Sequence, residues 1–519
     1  MKRILRLGTR RSLLAMAQSR GVAGRIERMN PDIAVELIGI ETRGDRDLDT
    51  PLSSLGGKEF FVAELDRALL RGDVDFTVHS MKDLGLARPR EITLAAIPGR
   101  ENPRDVVLFS VDILERLKTG EPIRIGTSSP RRIENLAPFL STALPNLGTA
   151  PDIRTHAIRG NIDTRIGLLS PAAGVPEGLD GIVLAFAGLI RLWADPDGQA
   201  VLRRLLTGLR WMVLPLEAFP TAPAQGALAV ECRANDNDTR TVLASLHCER
   251  SAVQVAAERQ VLEEWGGGCH QRFGATSVTV EGLGSLMFIR GVKEDGLYIA
   301  ETRWSRSGLD VRPPLWDGTQ WRSDAFTCRD TADAASPGWM DRPGALFISH
   351  SRALPQAWLP ALRGNARLRI WTSGPKSWLR LARRGVWVEG CAEQFGFDAL
   401  LPTLGQGVLG LPRIGAWRIL SHGDAAGSWP ENDVTVTYDV YPGEPLNGEH
   451  AAVQSLGRAR SAFWTSGSQF DAFREWIPPD CRHACRYGRT YFYLQRQGLV
   501  HLTAFPGVAE WRQQGGWPE

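Results

Sequence analysis

The sequence predicts an α/β protein in two unequal modules, a long N-terminal one and a C-terminal one of ordinary domain size. Three observations carry this. Short apolar runs alternate with helical patterns along the first 300 or so residues, the signature of α/β domains with mostly parallel sheets. Composition then shifts: three of the 17 tryptophans (Trp193, Trp211, Trp265) precede residue 300 and the rest follow it. Between Trp304 and Gly344 the chain turns polar and rich in Pro, Gly and Asp, as in Arg312-Pro313-Pro314 and Ala335-Ser336-Pro337-Gly338, which reads as a boundary or linker. A chain of 519 residues is also too long for one hydrophobic core.

The elements follow in order. Ile4 to Gly8 and Ala34 to Ile40 read as strands, with Ser12 to Arg28 a helix between them. Phe61 to Leu70 is a second helix and Phe76 to His79 a further strand. Ile123 to Gly126 and Gly181 to Ala185 are short strands that run into loops. From Ala227 to Ala300 the pattern changes to a helix, Arg250 to Trp265, then alternating strands, a smaller α+β domain. In the C-terminal module Trp371-Thr372-Ser373-Gly374 recurs as Trp464-Thr465-Ser466-Gly467. Each copy follows an apolar run and precedes a helical stretch, so the echo predicts a pair of similar α/β lobes.

Composition excludes several classes. Apolar residues make up 43% and charged ones 23%, as in a globular domain and unlike a disordered or collagenous chain. No run of about twenty apolar residues offers a membrane span. A net charge of +3 is too small to argue for nucleic acid. Seven thinly spread cysteines make no disulfide scaffold, and the expected setting is reducing and cytoplasmic. Arg10-Arg11 before Leu13 and Leu14 resembles a twin-arginine export signal, but Gln18 and Arg20 cut the apolar run short.

Basic side chains recur where strands end. Arg10, Arg11, Arg131, Arg132, Arg159 and Arg165 lie in loop-like segments beside Gly, Ser, Thr or Asn. In parallel sheets ligands bind beyond the carboxyl ends of strands, and a guanidinium fork takes a carboxylate in bidentate fashion. Any one of these arginines is accounted for by surface ion pairing. The set suits a ligand with several carboxylates or phosphates. Asp83, beside Lys82, is the acid inside such a cluster. It serves either to stabilise a developing cation or pass a proton, or as a local cap or ion pair. Cys269 in Gly266-Gly267-Gly268-Cys269-His270 is either an accessible attachment point or incidental. Cys481-x-His483-x-Cys485 lacks a second ligand pair, so no metal is expected. His79 reads as a structural histidine, and the C-terminal tryptophans as core.

Residues 1 to about 300 resemble porphobilinogen deaminases (hydroxymethylbilane synthases). The matching stretches are long and in order: LGTRRSLLAMAQ from Leu7, ETRGDRDLDTPLSSLGGKEFFVAEL from Glu41, DFTVHSMKD from Asp75, ENPRDV from Glu101, GTSSPRR from Gly126, RGNIDTR from Arg159, LAFAGLIRL from Leu184, QGALAVECR from Gln225 and GGGC ending at Cys269. The resemblance implies two doubly wound lobes around a cleft, 1–98 with a return segment 205–228, and 99–204, then a cysteine-bearing α+β domain, 229–305. It implies a dipyrromethane cofactor bound covalently to Cys269, with Lys82, Asp83, Ser129, Arg131 and Arg132 around it. Asp83 matches the catalytic aspartate. Arg10, Ser12, Thr127, Ser128, Arg159, Arg165, Arg191 and Gln225 match substrate-binding positions, and Lys58 and Phe61 fall in a mobile lid. Porphobilinogen is then the substrate of a monomeric enzyme with no nucleic-acid or membrane partner. The sequence departs from the family's pattern at Leu84-Gly85, Ala224, Arg272 and Glu59.

After a linker, 306–343, residues 344–519 resemble a divergent uroporphyrinogen-III synthase. The features are LFISHSR from Leu346, the TSG turns, VTYDVY from Val436 and YGRTYFYLQRQG from Tyr487. This implies two small α/β lobes and closure of hydroxymethylbilane without a cofactor. Tyr438, Thr465, Ser466 and Thr490 are the candidates there.

Overall fold

A computed structural model of the chain describes residues 2–42, 62–170, 178–266, 272–306, 308–318, 326–333, 335–393, 395–423, 429, 432–442 and 446–516. Lys58, Glu59, Phe61 and Cys269 lie outside the described residues. The chain divides into two compact units: Met1–Ser277 with Met287–Thr302 and Gln406–Gly410, and Val278–Leu286 with Arg303–Gly405 and Leu411–Glu519. It is a mixed α/β protein of several sheets, but the mostly parallel pairing expected from the alternating pattern does not hold in the first unit, whose two five-stranded sheets pair as often antiparallel as parallel.

The first unit contains two five-stranded sheets. One has the order β2-β1-β3-β10-β4, with β1 Arg3–Arg10, β2 Ile33–Ile40, β3 Phe76–Ser80, β4 Ile92–Ala96 and β10 Leu228–Arg233. β1 runs parallel to β2 and β3, while β10 is antiparallel to both its neighbours. The helix Leu13–Met29 buries Val22, Ala23 and Ile26 against Leu5, Leu7, Phe76 and Val230. That is one apolar stripe at helical spacing on the apolar face of a sheet. Ser12 caps the helix, its hydroxyl accepting from the Ala15 N–H at 3.4 Å.

The other sheet has the order β7-β6-β8-β5-β9: β5 Asp105–Phe109, β6 Ile123–Gly126, β7 Ile153–His156, β8 Gly181–Ala185 and β9 Arg210–Val213. β5 is buried along its whole length, and its run DVVLF shows no alternation because both faces are covered. The expected lobe boundaries need correcting here. Residues 210–213 pair with β5 in the second sheet, and the strand that returns to the first is Leu228–Arg233. The cause is pairing between distant segments, which local periodicity does not encode.

The α+β region has the expected order. The helix Glu249–Glu264 places Val261 and Leu262, with Trp265 just beyond, against Phe273, Ala275, Met287 and Ile289 of a three-stranded sheet, β11 Arg272–Val280, β12 Gly284–Val292 and β13 Tyr298–Ser305.

The second unit has two further sheets. A four-stranded one runs β14-β21-β22-β23, with β14 Leu315–Trp316, β21 Ser461–Trp464, β22 Arg482–Arg486 and β23 Leu502–Phe505, every pair parallel. A six-stranded one runs β15-β20-β19-β16-β17-β18, with β15 Phe326–Asp330, β16 Gly344–Ile348, β17 Leu368–Thr372, β18 Gly390–Cys391, β19 Arg418–His422 and β20 Asp433–Pro442. The segment 306–343 is therefore not a linker. It adds an edge strand to each sheet, and Trp316 is buried among Trp464, Phe470 and Phe473. Pro, Gly and Asp in this segment mark turns between short edge strands, where proline is tolerated. Both TSG turns join a strand to a helix, Pro375–Arg383 and Gly467–Phe473. Six tryptophans, Trp358, Trp371, Trp378, Trp417, Trp464 and Trp511, are almost fully buried, as expected of core residues.

Candidate active site

In the first unit a cleft of about 610 Å³ opens where β1, β3 and β8 end. Its walls are residues 10–14 after β1, Ser80 to Asp83 after β3, the turn 159–165, residues 184–192 and the segment 225–227. Seven cationic side chains line it, Arg10, Arg11, Lys82, Arg132, Arg159, Arg165 and Arg191, against three carboxylates, Glu41, Asp83 and Asp163. Ser12 and Gln225 line it too. Thus Arg10, Ser12, Lys82, Asp83, Arg132, Arg159, Arg165, Arg191 and Gln225, scattered over more than 200 positions, come together.

Asp83 ends a single 3₁₀ turn, Met81–Asp83, at the end of β3. Met81 anchors the turn: its side chain is buried and its N–H donates to the Ala227 carbonyl at 3.0 Å. Leu84, where the sequence departs from the family's pattern, is also buried, beside Val62, Met81 and Val255. Asp83 itself is exposed and makes no hydrogen bond or ion pair among the described residues. Its neighbour Lys82 donates to Gln225 Oε1 at 3.3 Å. Burial pushes the Lys82 ammonium down to about 8, and Arg132 and Arg131 add to the fall while Asp83 opposes it. Burial likewise lowers Arg165 and Arg191 to about 10 each. Arg165 donates to the Gly160 carbonyl at 2.8 Å, and Arg191 to that of Gly226.

Arg131, Thr127, Ser128 and Ser129 do not line the cleft. Arg131 is turned inward, donating to Asp105 at 2.7 Å and to the Pro220 carbonyl at 3.0 Å. Ser128 is held by both main-chain groups of Ile158, and Ser129 starts the helix Pro130–Ala143. Thr127 is buried.

The sequence pattern missed the group that organises this region. Asp105, the first residue of β5, is fully buried and binds Arg131, Arg132 and Gln225 Nε2, at 2.7, 2.8 and 2.8 Å. Burial alone would raise its carboxyl, but the two arginines hold it well below the usual carboxylate range. An acid opening a fully apolar strand in ENPRDV was the available signal. A second such group is Glu258, buried in the helix Glu249–Glu264. It takes both arms of Arg100 at 2.6 and 2.9 Å and the N–H groups of Ala224 and Ser277 at 2.6 Å each. This fixes the turn carrying Gln225, in which Ala224 has φ +64° and Gly226 φ +88°. A Cβ on Gly226 would meet the Glu101 carbonyl at 2.4 Å. Arg272 pairs with Glu134 on the surface, and a Cβ on Gly274 would lie 2.1 Å from the Pro220 carbonyl.

His79 is buried away from the cleft, 3.0 Å from the Thr77 hydroxyl, and burial pushes it down to about 3. With Asp66 and Glu231 it forms a cluster of metal-ligand types, but Arg88 already bridges both carboxylates at 2.7 Å. His483 accepts from the Trp464 indole at 3.1 Å, and burial pushes the neighbouring Cys481 thiol up to about 12. In the second unit, Thr465 and Ser466 are used locally, both bonded to Gln469. Thr490 is half-buried in the first turn of the helix Arg489–Arg496. Tyr438 is buried, its ring 5.5 Å from that of His422.

Fold and site together define a mixed α/β protein of several sheets whose first unit carries a cleft lined mainly by cations. Residues 5–241 match the family model described as porphobilinogen deaminase, dipyromethane cofactor binding domain. Porphobilinogen deaminase of Syntrophus aciditrophicus is 37% identical over 290 residues, which are 56% of this chain and 84% of that protein. That of Listeria monocytogenes serovar 1/2a is 40% identical over 271 residues, 52% of this chain and 79% of its own. The chain belongs to the porphobilinogen deaminase family, and its N-terminal part holds that family's dipyrromethane-binding domain. Among the described residues no helix is long and apolar enough to cross a membrane.

Proposed function

We propose that the first unit condenses four porphobilinogen units stepwise, releasing ammonia with each, to give hydroxymethylbilane. The observation that carries this is the gathering of Lys82, Arg132, Arg159, Arg165 and Arg191 around Asp83 in one cleft. Burial lowers Lys82, Arg165 and Arg191, and the acetate and propionate groups of pyrroles would oppose that fall by pairing with their charges. The donor set therefore fits dipyrromethane. Lys82, Arg132, Arg165 and Arg191 would hold its carboxylates, with Cys269 as the attachment point. When bound, it supplies the electron-rich pyrrole to which porphobilinogen adds.

The chain's own residues do the rest. Arginine forks fix the substrate's carboxylates and so aim its aminomethyl group. The C–N bond breaks, the electron pair leaves with nitrogen as ammonia, and the pyrrole's methylene is left cationic. Asp83, a fixed anion held by the anchored turn, stabilises that charge. Intact-mass measurement of the purified chain tests the reading. A surplus of two linked pyrroles, absent in Cys269→Ser, with a ladder of further units on adding porphobilinogen, is the expected result. A bare-polypeptide mass unchanged by substrate would refute it.

We further propose that residues 344–519, with the edge strands before them, form a uroporphyrinogen-III synthase-like module that closes the unstable product. The paired strand–TSG–helix units and buried Tyr438 support this. Arg489 stands close by, stacked 4.7 Å above Trp429 and 3.4 Å from the Ser421 hydroxyl. Chromatography of the oxidised product should show the III isomer from the full chain and mainly the I isomer from Tyr438→Phe. The I isomer alone from the unaltered chain would leave the module without this activity.

A further inference from the structure

The second unit holds a concavity of about 450 Å³ that neither assignment above uses. Its lining is His350, Ser351, Arg352, Arg380, Arg383 and Arg384. Four arginines and a histidine with no acid is far from the chain's own balance of 61 basic to 58 acidic residues. Two segments build it. His350 follows β16, and its Nδ1 accepts from the Arg352 N–H at 3.2 Å, which fixes the 3₁₀ turn Ser351–Ala353. That turn is tied to β20 by Thr437, whose hydroxyl donates to the Ala353 carbonyl at 2.8 Å. The facing wall is the helix Pro375–Arg383 and the residue after it. Arg384 bolts the two walls together, donating to the Ser351 and Leu354 carbonyls at 3.0 and 2.7 Å. Its guanidinium is structural.

The other three arginines are exposed, and their guanidinium groups make no ion pair or hydrogen bond among the described residues. Like charges gathered on a rigid concave frame repel one another, and such a frame focuses the field on an incoming anion. We infer that this concavity is a binding site for a small anion carrying two or more oxyanion groups, each taken by one guanidinium fork of Arg352, Arg380 or Arg383. Carboxylates and phosphates share that chemistry. The inference does not depend on ring closure by this module. His350 supports it as a local reporter: burial, then Arg380, Arg352 and His422, hold its imidazole below the ordinary histidine value, and a bound anion would oppose the three cationic influences.

The test uses the full chain, with pyrophosphate and propane-1,2,3-tricarboxylate as probes. The His350 ring signals, assigned through His350→Gln, are followed by NMR through a pH titration at about 0.1 M salt, where exposed charges further apart than about 10 Å are screened. Saturating probe should raise the His350 midpoint. The double variant Arg380→Gln/Arg383→Gln, both on exposed positions, should weaken binding at this reporter about tenfold or more, with porphobilinogen turnover unchanged. The tighter probe names the source, a phosphorylated compound or a polycarboxylate, and equal affinity supports the shared chemistry. A His350 midpoint unmoved by millimolar amounts of either probe overturns the inference. So does equal affinity in the double variant.

Discussion

Replacing Asp105 by Asn should damage fold and cleft together. The carboxylate is 0% exposed, and Arg131 and Arg132 beside it are 3% and 7% exposed. Asparagine keeps the shape but leaves two buried guanidinium groups without their counter-charge. Breaking a buried pair by removing one partner costs about 3–5 kcal/mol. At about 2–4 °C per kcal/mol for a large domain, the first thermal transition should fall by about 6–20 °C. The amide has one acceptor oxygen for the donors that now share two, so an NH2 faces either Arg131 or the pair Arg132 and Gln225, and KM for porphobilinogen should rise as well. The pH dependence gives an independent check. A carboxyl held below its unfolded value of about 4 contributes stability that is complete above that pH and is lost progressively as pH falls from there toward the folded value. Acid unfolding of the unaltered chain should therefore include this loss below about pH 4, and Asp105→Asn should lack it. Differential scanning calorimetry between pH 3 and 8, with initial rates at pH 7.5, reads both effects. A variant melting within about 1 °C of the parent, with an unchanged KM, would refute the argument that Asp105 neutralises the two arginines.

Three other outcomes follow from the same geometry. Asp83→Ala should abolish ammonia release while leaving the melting temperature unchanged, since the side chain is exposed and unpaired among the described residues; retained turnover would remove Asp83 from the mechanism. KM for porphobilinogen should climb as pH rises through about 8, because Lys82 loses its charge there, and Lys82→Arg should flatten that climb in initial-rate profiles. Ala224→Gly should raise stability by up to about 1 kcal/mol in denaturant titration, because φ of +64° suits glycine better than alanine.

Much of the site could be read along the chain because it is built from strand ends. Apolar runs told where β1, β3 and β8 lie, and the polar loops after them carry Arg10, Ser12, Lys82 and Asp83. Ser12 as a helix cap and the two TSG turns are likewise local events, settled within a few residues. What the chain could not show is which distant groups meet. Arg131 and Arg132 are neighbours in sequence and both look like ligand arginines. In the fold Arg131 is turned inward to Asp105 and Pro220, while Arg132 reaches both Asp105 and the cleft. Strand Leu228–Arg233 is inserted between β3 and β4, and 315–316 and 326–330 add edges to two sheets although their composition is that of a linker. The hydrophobic period is a property of one segment and follows from burial of one face. Strand partners and buried ion pairs are properties of two segments, and only the folded chain brings them within hydrogen-bonding reach.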